Sequence, residues 1–156
     1  MKILIVCLGN ICRSPLGEGI LQHKSDQYGL GWEVDSAGTG DWHVGAPPHK
    51  LSQKVALQNG VDITRQRGRQ FVKEDLLRFD RIYFMDRNNR TAARQIAGQW
   101  WDESKCSLLL EELYPGEYQN VPDPYGHPER EFEMVYQMID AACDAIVKRY
   151  GEVKSK

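Results

Sequence analysis

The spacing of four short apolar runs constrains this chain more than any other feature. Lys2–Val6, Trp32–Ser36, Arg81–Met85 and Cys106–Leu110 are rich in β-branched, aliphatic or aromatic residues, and each is separated from the next by a stretch long enough for a helix. A short, largely apolar strand is buried on both faces, and strands joined by helix-length connections run parallel. The pattern predicts an α/β fold: a three-layer single domain with a four-stranded parallel sheet flanked by helices on both faces.

The intervening segments carry helix signals. Ser14-Pro15 reads as an N-cap followed by proline at the first helical position, with Gly29 as the stop. Weaker helices are expected over Lys50–Asn59, Lys73–Arg78 and Asn88–Gly98. The last helix is the clearest: Phe132, Val135, Tyr136, Ile139, Cys143, Ile146 and Tyr150 fall on one face, with Pro128, Glu129 and Glu131 at its start and Lys148, Arg149 and Gly151 at its end. The predicted order is β-α-β-α-α-β-α-β-α. One domain over residues 1–150 and a polar tail over 151–156 account for the whole chain, because 156 residues leave no room for two ordinary domains.

Charge and cysteine usage narrow the class. With 20 Lys+Arg against 22 Asp+Glu the balance is near neutral, which argues against nucleic acid as a partner. The longest apolar run near the start, Ile3–Leu8, is too short for an export signal or a membrane span, so no membrane partner is expected. Cys7, Cys12, Cys106 and Cys143 lack the spacing of a zinc site and are too few for a disulfide scaffold, so the expectation is a cytoplasmic protein with no metal.

In an open α/β sheet, ligands bind at the carboxyl ends of the strands. The turn leaving the first strand reads Cys7-Leu8-Gly9-Asn10-Ile11-Cys12-Arg13-Ser14-Pro15. Wrapped into a ring, the backbone N–H groups from Leu8 through Ser14 form an anion nest backed by a helix N-terminus, a cradle suited to phosphate. Gly9 and Asn10 are the residue types that tolerate the left-handed backbone such a nest demands. Arg13 clamps two phosphate oxygens with its planar fork. Amides, helix dipole and Arg13 together favour the thiolate of Cys7, a nucleophile for attack on phosphorus that gives a cysteinyl-phosphate. The spacing alone is weak, because Cys143 and Arg149 repeat it inside the last helix. Context separates the two copies: only the first has a strand before it, a Gly-Asn turn within it and a serine and proline after it.

Expelling an alkoxide or phenolate calls for a proton donor from another strand-end loop. Asp123, between Pro122 and Pro124 and after the fourth strand, is the candidate: acid in the first step, base for water in the second. Trp42 and Tyr125 stand in loops where they can flank an aromatic ring, which favours a phosphorylated phenol. Ser36 ends the second strand and, with Asn10 and Ser14, can hydrogen-bond the nest. Cys12 faces the same pocket, and oxidation can join it to Cys7 as a reversible disulfide. His23, His43, His49 and His127 pair with no acid at a recognisable spacing and receive no catalytic role. The Arg65, Arg67, Arg69 stretch reads as a solvated face. Trp100-Trp101 reads as partial core or a surface patch, and the chain as a monomer or weak homo-oligomer.

These residues closely resemble the low-molecular-weight protein tyrosine phosphatases. The likeness runs over Val6 to Pro15, Val34-Asp35-Ser36-Ala37, Asp41-Trp42-His43-Val44-Gly45, Arg69-Gln70, Phe84-Met85-Asp86 and Asp123-Pro124-Tyr125. The resemblance implies cofactor- and metal-independent hydrolysis of phosphotyrosine in a protein substrate, with Cys7 as nucleophile, Arg13 as phosphate ligand and Asp123 as general acid. Leu8, Ile11, Trp42 and Tyr125 match the family's pocket walls, Asn10, Ser14 and Ser36 its loop-shaping partners, and Cys12 its redox partner. The chain departs from the pattern at Gly126, where many members carry a second tyrosine, and at Gln66, where many carry a histidine that supports the loop. Ile11 stands where relatives that resemble protein-arginine phosphatases carry threonine, which favours phosphotyrosine. Two alternatives make use of the same cysteine: an arsenate reductase, which needs resolving cysteines beyond the loop, and a phosphocarrier, which gains nothing from Asp123.

Overall fold

The computed structural model describes residues 1–151 and follows the predicted order. Its elements are β1 (Lys2–Cys7), α1 (Arg13–Gln27), β2 (Glu33–Gly38), α2 (Lys50–Gln58), α3 (Asp75–Arg78), β3 (Arg81–Phe84), α4 (Arg87–Ala97), β4 (Cys106–Leu108) and α5 (Glu129–Tyr150), with short 3-10 turns around β4. Residues 152–156 of the expected polar tail lie outside the described residues.

The four strands form one parallel sheet in the order β2-β1-β3-β4. β1 lies between β2 and β3 and is apolar from Ile3 to Cys7, with its side chains alternating between the two layers. Ile3, Ile5 and Cys7 face the core built with α1 and α5, while Leu4 and Val6 face Ala93 and Ala97 of α4 and Leu76 of α3. From β1 the chain steps one way to β2, and from β3 it steps the other way to β4. Two loops therefore diverge between the carboxyl ends of β1 and β3, the switch point at which open α/β sheets hold their ligands. The turn after β1 carries Cys7 through Arg13, and the turn after β3 carries Asp86.

Boundaries shift where tertiary partners override local signals. α1 begins at Arg13, with Cys12 in the cap position and no side-chain cap bond, so Ser14 is not the N-cap. Its hydroxyl is engaged with Asn10 and Cys7 instead. Pro15 still falls in the first turn, where its missing N–H costs nothing. The other end of α1 behaves as read: Gly29 has φ +65°, and the Gly29 and Leu30 N–H groups close back on the Asp26 and Ser25 carbonyls. β2 runs on to Gly38 because the loop after Cys7 is zipped against its end. The Thr39 and Gly40 amides donate to the Cys7 and Leu8 carbonyls, both at 2.9 Å. A Cβ on Gly38 would lie 2.8 Å from the Leu8 oxygen, so this close approach needs glycine. β4 stops at Leu108 because Leu109 and Leu110 turn into the α5 side of the core.

Candidate active site

Cys7 arrives at the site as the last residue of a strand buried from Ile3 onward, and the loop beyond it supplies hydrogen-bond donors to its sulfur. Asn10 adopts φ +58°, and its N–H donates to Cys7 Sγ at 3.3 Å. The Ser14 hydroxyl lies 3.0 Å from the same sulfur. Proton bookkeeping fixes the direction of that contact. Asn10 Nδ2 donates one hydrogen to Ser14 Oγ at 2.8 Å and the other to Ser36 Oγ at 3.0 Å, while its Oδ1 accepts the Arg69 N–H at 3.0 Å. Ser14 therefore accepts from Asn10 and has one hydrogen to give. The sulfur at 3.0 Å is a better acceptor than the Ala37 carbonyl at 3.5 Å. Ser36 in turn donates to Glu18 Oε1 at 2.7 Å.

The rest of the loop has donors to spare. Among the described residues the backbone amides of Leu8, Gly9, Ile11 and Cys12 donate to no protein group. Buried N–H groups without partners are rare in folded proteins, and Ile11 and Cys12 are buried. Gly9 has no positive φ, so its glycine is not explained by left-handed backbone. The reason is space, since a Cβ there would meet the His43 ring at 3.1 Å.

Arg13 is buried, and its Nη1 donates to Asp86 Oδ2 at 2.8 Å and to the Val121 carbonyl at 2.7 Å. Those two bonds hold the guanidinium so that Nη2 lies 4.0 Å from Asp123 Oδ2. Asp86 also caps α4, accepting the Asn89 N–H at 2.7 Å. Asp123 is half-exposed, and its Oδ1 accepts the Tyr125 N–H at 3.1 Å, a local turn that adds to the restraint of its two prolines.

These groups border one cavity of about 210 Å³. Cys7 and Arg13 lie in its wall with Leu8, Gly9, Ile11 and Cys12, and Trp42, His43, Asp123 and Tyr125 complete it. Asn10, Ser14 and Ser36 stand behind the wall as the frame of the loop. Burial, reinforced by the charges of Asp123 and Cys7, pushes the Cys12 thiol up to about 12, so Cys12 stays protonated beside its neighbour. Burial likewise raises the Glu18 carboxyl to about 7, against the Ser36 hydrogen bond, which lowers it. Cys106 and Cys143 are free, buried core thiols.

Several contributors carried no clear signal in the sequence. Asp86 appeared only as part of a family motif, although Asp86 and Asn89 have the spacing of a capping box. His43 lines the cavity. His49 caps α2 through Nδ1, stacks on Phe132 at 4.8 Å and lies edge-on to Tyr125 at 5.8 Å. Burial lowers the pKa of His49, which suits the neutral acceptor it is. The three-arginine stretch divides: Arg69 pairs with Asp75 and Asp35 under the loop, whereas Arg65 and Arg67 stay exposed. Gln66 Nε2 donates to the Pro15 carbonyl at 3.0 Å, holding the first turn of α1.

Comparison with known proteins agrees along the whole chain. Residues 2–156 match the family model described as low molecular weight phosphotyrosine protein phosphatase. The low molecular weight protein-tyrosine-phosphatase YfkJ of Bacillus subtilis is 37% identical over 149 residues, covering 94% of each chain. The crystal structure of YfkJ superposes with a TM-score of 0.89, covering 99% of this chain and 96% of that one. A human low molecular weight phosphotyrosine protein phosphatase is 32% identical, covering 95% of this chain and 94% of its own. Wzb of Vibrio vulnificus, solved with benzylphosphonate, is 32% identical, with a TM-score of 0.85 over 95% of this chain and 97% of that one.

Proposed function

Because the chain belongs to the low molecular weight phosphotyrosine protein phosphatases, we propose that it hydrolyses phosphotyrosine in two displacements on Cys7. In the first, the Cys7 thiolate attacks phosphorus, the bond from phosphorus to the phenolic oxygen breaks, and Asp123 gives its proton to the departing tyrosine. In the second, the Asp123 carboxylate takes a proton from water as that water attacks the cysteinyl-phosphate. The P–S bond breaks, releasing inorganic phosphate and restoring the thiolate.

One observation carries this reading. A strand-end sulfur accepts hydrogen bonds from Asn10 and Ser14 in a cavity wall shared by a pre-aimed arginine, a carboxylate 4.0 Å from that arginine and unpartnered backbone amides. The spare amides and Arg13 suit the equatorial oxygens of a transferring phosphoryl group, whose charge they stabilise without reorganisation. Asp86 and Val121 act through Arg13 by fixing its fork. The aryl class of substrate follows from walls of Leu8, Ile11, Trp42 and Tyr125, and the aromatic phosphonate solved with Wzb fits the same expectation.

The partner is a phosphotyrosine-bearing protein, and four free cysteines suit a reducing cytoplasm. No helix among the described residues is long and apolar enough to cross a membrane. We read Cys12 as the redox partner of Cys7: peroxide converts Cys7 to a sulfenic acid, and the Cys12 sulfur displaces water to close the disulfide. Mass spectrometry after mild peroxide is expected to find that bond, and sulfinic acid on Cys7 alone would remove the role.

Acid-quenching the enzyme during turnover of p-nitrophenyl phosphate tests the central claim. Phosphate is expected on Cys7, accumulating further in Asp123→Ala, where the second step is slowed. Turnover with no phosphorylated Cys7 in either protein would refute the covalent route.

A further inference from the structure

The helices that start at the Cys7 cavity break a charge rule that the other helices obey. The N-terminal end of a helix favours acidic residues in its first turn and disfavours cations there. α5 conforms, opening with Glu129 and Glu131 and closing with Lys148 and Arg149, and α3 opens with Asp75. α1, α2 and α4 open instead on Arg13, Lys50 and Arg87, and none of them has an acidic residue in its first turn.

All three begin at the site. Arg13 lines the cavity. Lys50 follows His49, whose N–H donates to the Ile11 carbonyl at 2.8 Å and whose ring meets Tyr125. Arg87 follows Asp86, which grips Arg13, and its N–H donates to Asn120, three residues before Asp123. Arg13 is accounted for by burial and its partner. Lys50 and Arg87 are exposed, and among the described residues neither pairs with a carboxylate. Arg67 is a third exposed cation without a carboxylate partner. It adjoins Gly68, whose backbone is bonded to Gly45 and Ala46 just beyond the wall residues Trp42 and His43. Among the described residues Asp123, the acid, is the one carboxylate in the cavity wall, and Asp41 adjoins the wall residue Trp42, in a chain whose overall charge is −2.

An exposed cation at a helix start weakens the helix, and folding alone gains nothing from it. A ligand that brings negative charge to the mouth reverses the sign. Resting on the phosphatase reading above, we propose that the mouth selects phosphotyrosines flanked by acidic residues, with Lys50, Arg67 and Arg87 pairing with Asp and Glu side chains on either side of the scissile residue. The aryl phosphate fills the cavity while the flanks cross the exposed rim formed by Trp42 and Tyr125. Because the flanks touch the enzyme equally in ground and transition states, the selection acts on KM rather than kcat.

Matched phosphotyrosyl peptides with Asp/Glu or Ala/Gln neighbours test the inference, using wild type and the Lys50→Glu/Arg87→Glu double variant. Wild type is expected to favour the acidic peptide about tenfold in kcat/KM at low salt, with the preference fading as salt rises. Double reversal is expected to cut the acidic-to-neutral ratio by about tenfold or more, through KM. The variant places Glu at two helix starts, so its melting temperature is expected to hold or rise. Equal losses on both peptides, or a wild-type ratio near one, would overturn the proposal. Wild-type turnover of p-nitrophenyl phosphate in the same assay separates the two readings. Turnover with a ratio near one defeats only the selection at the mouth, and absence of turnover defeats both.

Discussion

The chain contains the same seven-residue pattern twice, and the two copies have opposite fates. Cys7 and Arg13 are joined by a loop that curls between a strand and a helix, so both reach one cavity. Cys143 and Arg149 lie within α5, where six residues correspond to about 9 Å of rise and rather more than one and a half turns. Both sulfurs are buried, so burial does not distinguish them. Their surroundings do: Cys7 meets an amide and a hydroxyl, whereas Cys143 packs in the apolar core and burial drives its thiol far up. Arg149 pairs with Glu112 at the surface, and Arg13 is gripped from beneath by Asp86. The lesson is that a spacing acquires chemistry from the backbone that carries it.

Exchanging equivalent atoms in the two copies is the sharpest way to break the comparison. Cys7→Ser is expected to lower kcat by at least about 10⁴-fold, because an alcohol in this setting lacks a base to make it a nucleophile. Arg13→Ala is expected to cost about 10³-fold through lost transition-state charge stabilisation. Cys143→Ser and Arg149→Ala, assayed side by side on p-nitrophenyl phosphate, should leave kcat within a factor of about two. Loss of turnover in the second pair would mean that the α5 copy contributes more than packing.

Next in size is Asp123→Ala, expected to reduce kcat by about 10²-fold on phenyl phosphate or phosphotyrosine. p-Nitrophenolate leaves with less help from a proton, so the loss on p-nitrophenyl phosphate should be smaller. An identical loss on both substrates would argue that Asp123 orients groups and does not donate a proton.

The sheet and the loop were legible because each rests on local signals that tertiary structure reinforces. Short apolar runs made strands, and the strand, Gly-Asn turn and serine-proline start of a helix marked the nest. Asp86, Glu18 and Arg69 were not legible as parts of the site. Each acts through a partner far away in the sequence: Asp86 on Arg13, Glu18 on Ser36, and the Arg69 backbone on Asn10. No local pattern encodes which carboxylate meets which arginine once the sheet order β2-β1-β3-β4 brings their loops together. Ser14 misled for the same reason, since its hydroxyl serves the sulfur and leaves the helix uncapped.

The polar frame behind Cys7 ends at Glu18, and its titration sharpens the contrast with the apolar setting of Cys143. Burial raises this carboxyl from 4.5 to about 7, so between those values the folded state binds more protons than the unfolded chain. Stability is therefore highest at and below pH 4.5 from this group, falls as pH rises toward 7, and levels off above, a loss on the order of 3 kcal/mol. Glu18→Gln keeps an acceptor for Ser36 without the charge. Chemical denaturation at a series of pH values should show this variant gaining on wild type from pH 4.5 to 7, and parallel curves would show that Glu18 is solvated as an ordinary carboxylate.

The smallest effect belongs to the core copy. Cys143→Ala removes one sulfur from a site where Ile139, Ala142 and Ile146 of the same helix are also fully buried. A loss of about 1–2 kcal/mol in unfolding free energy is expected, the transfer and cavity cost of one buried atom. At Cys7 the balance differs, because alanine there leaves the Asn10 amide and the Ser14 hydroxyl without their acceptor but also removes a thiol from polar surroundings. Cys7→Ala is therefore expected to cost less stability than Cys143→Ala, or even to gain some, while destroying activity. Urea titrations of the two variants decide the matter: a larger loss at Cys7 would mean that its sulfur helps hold the fold together.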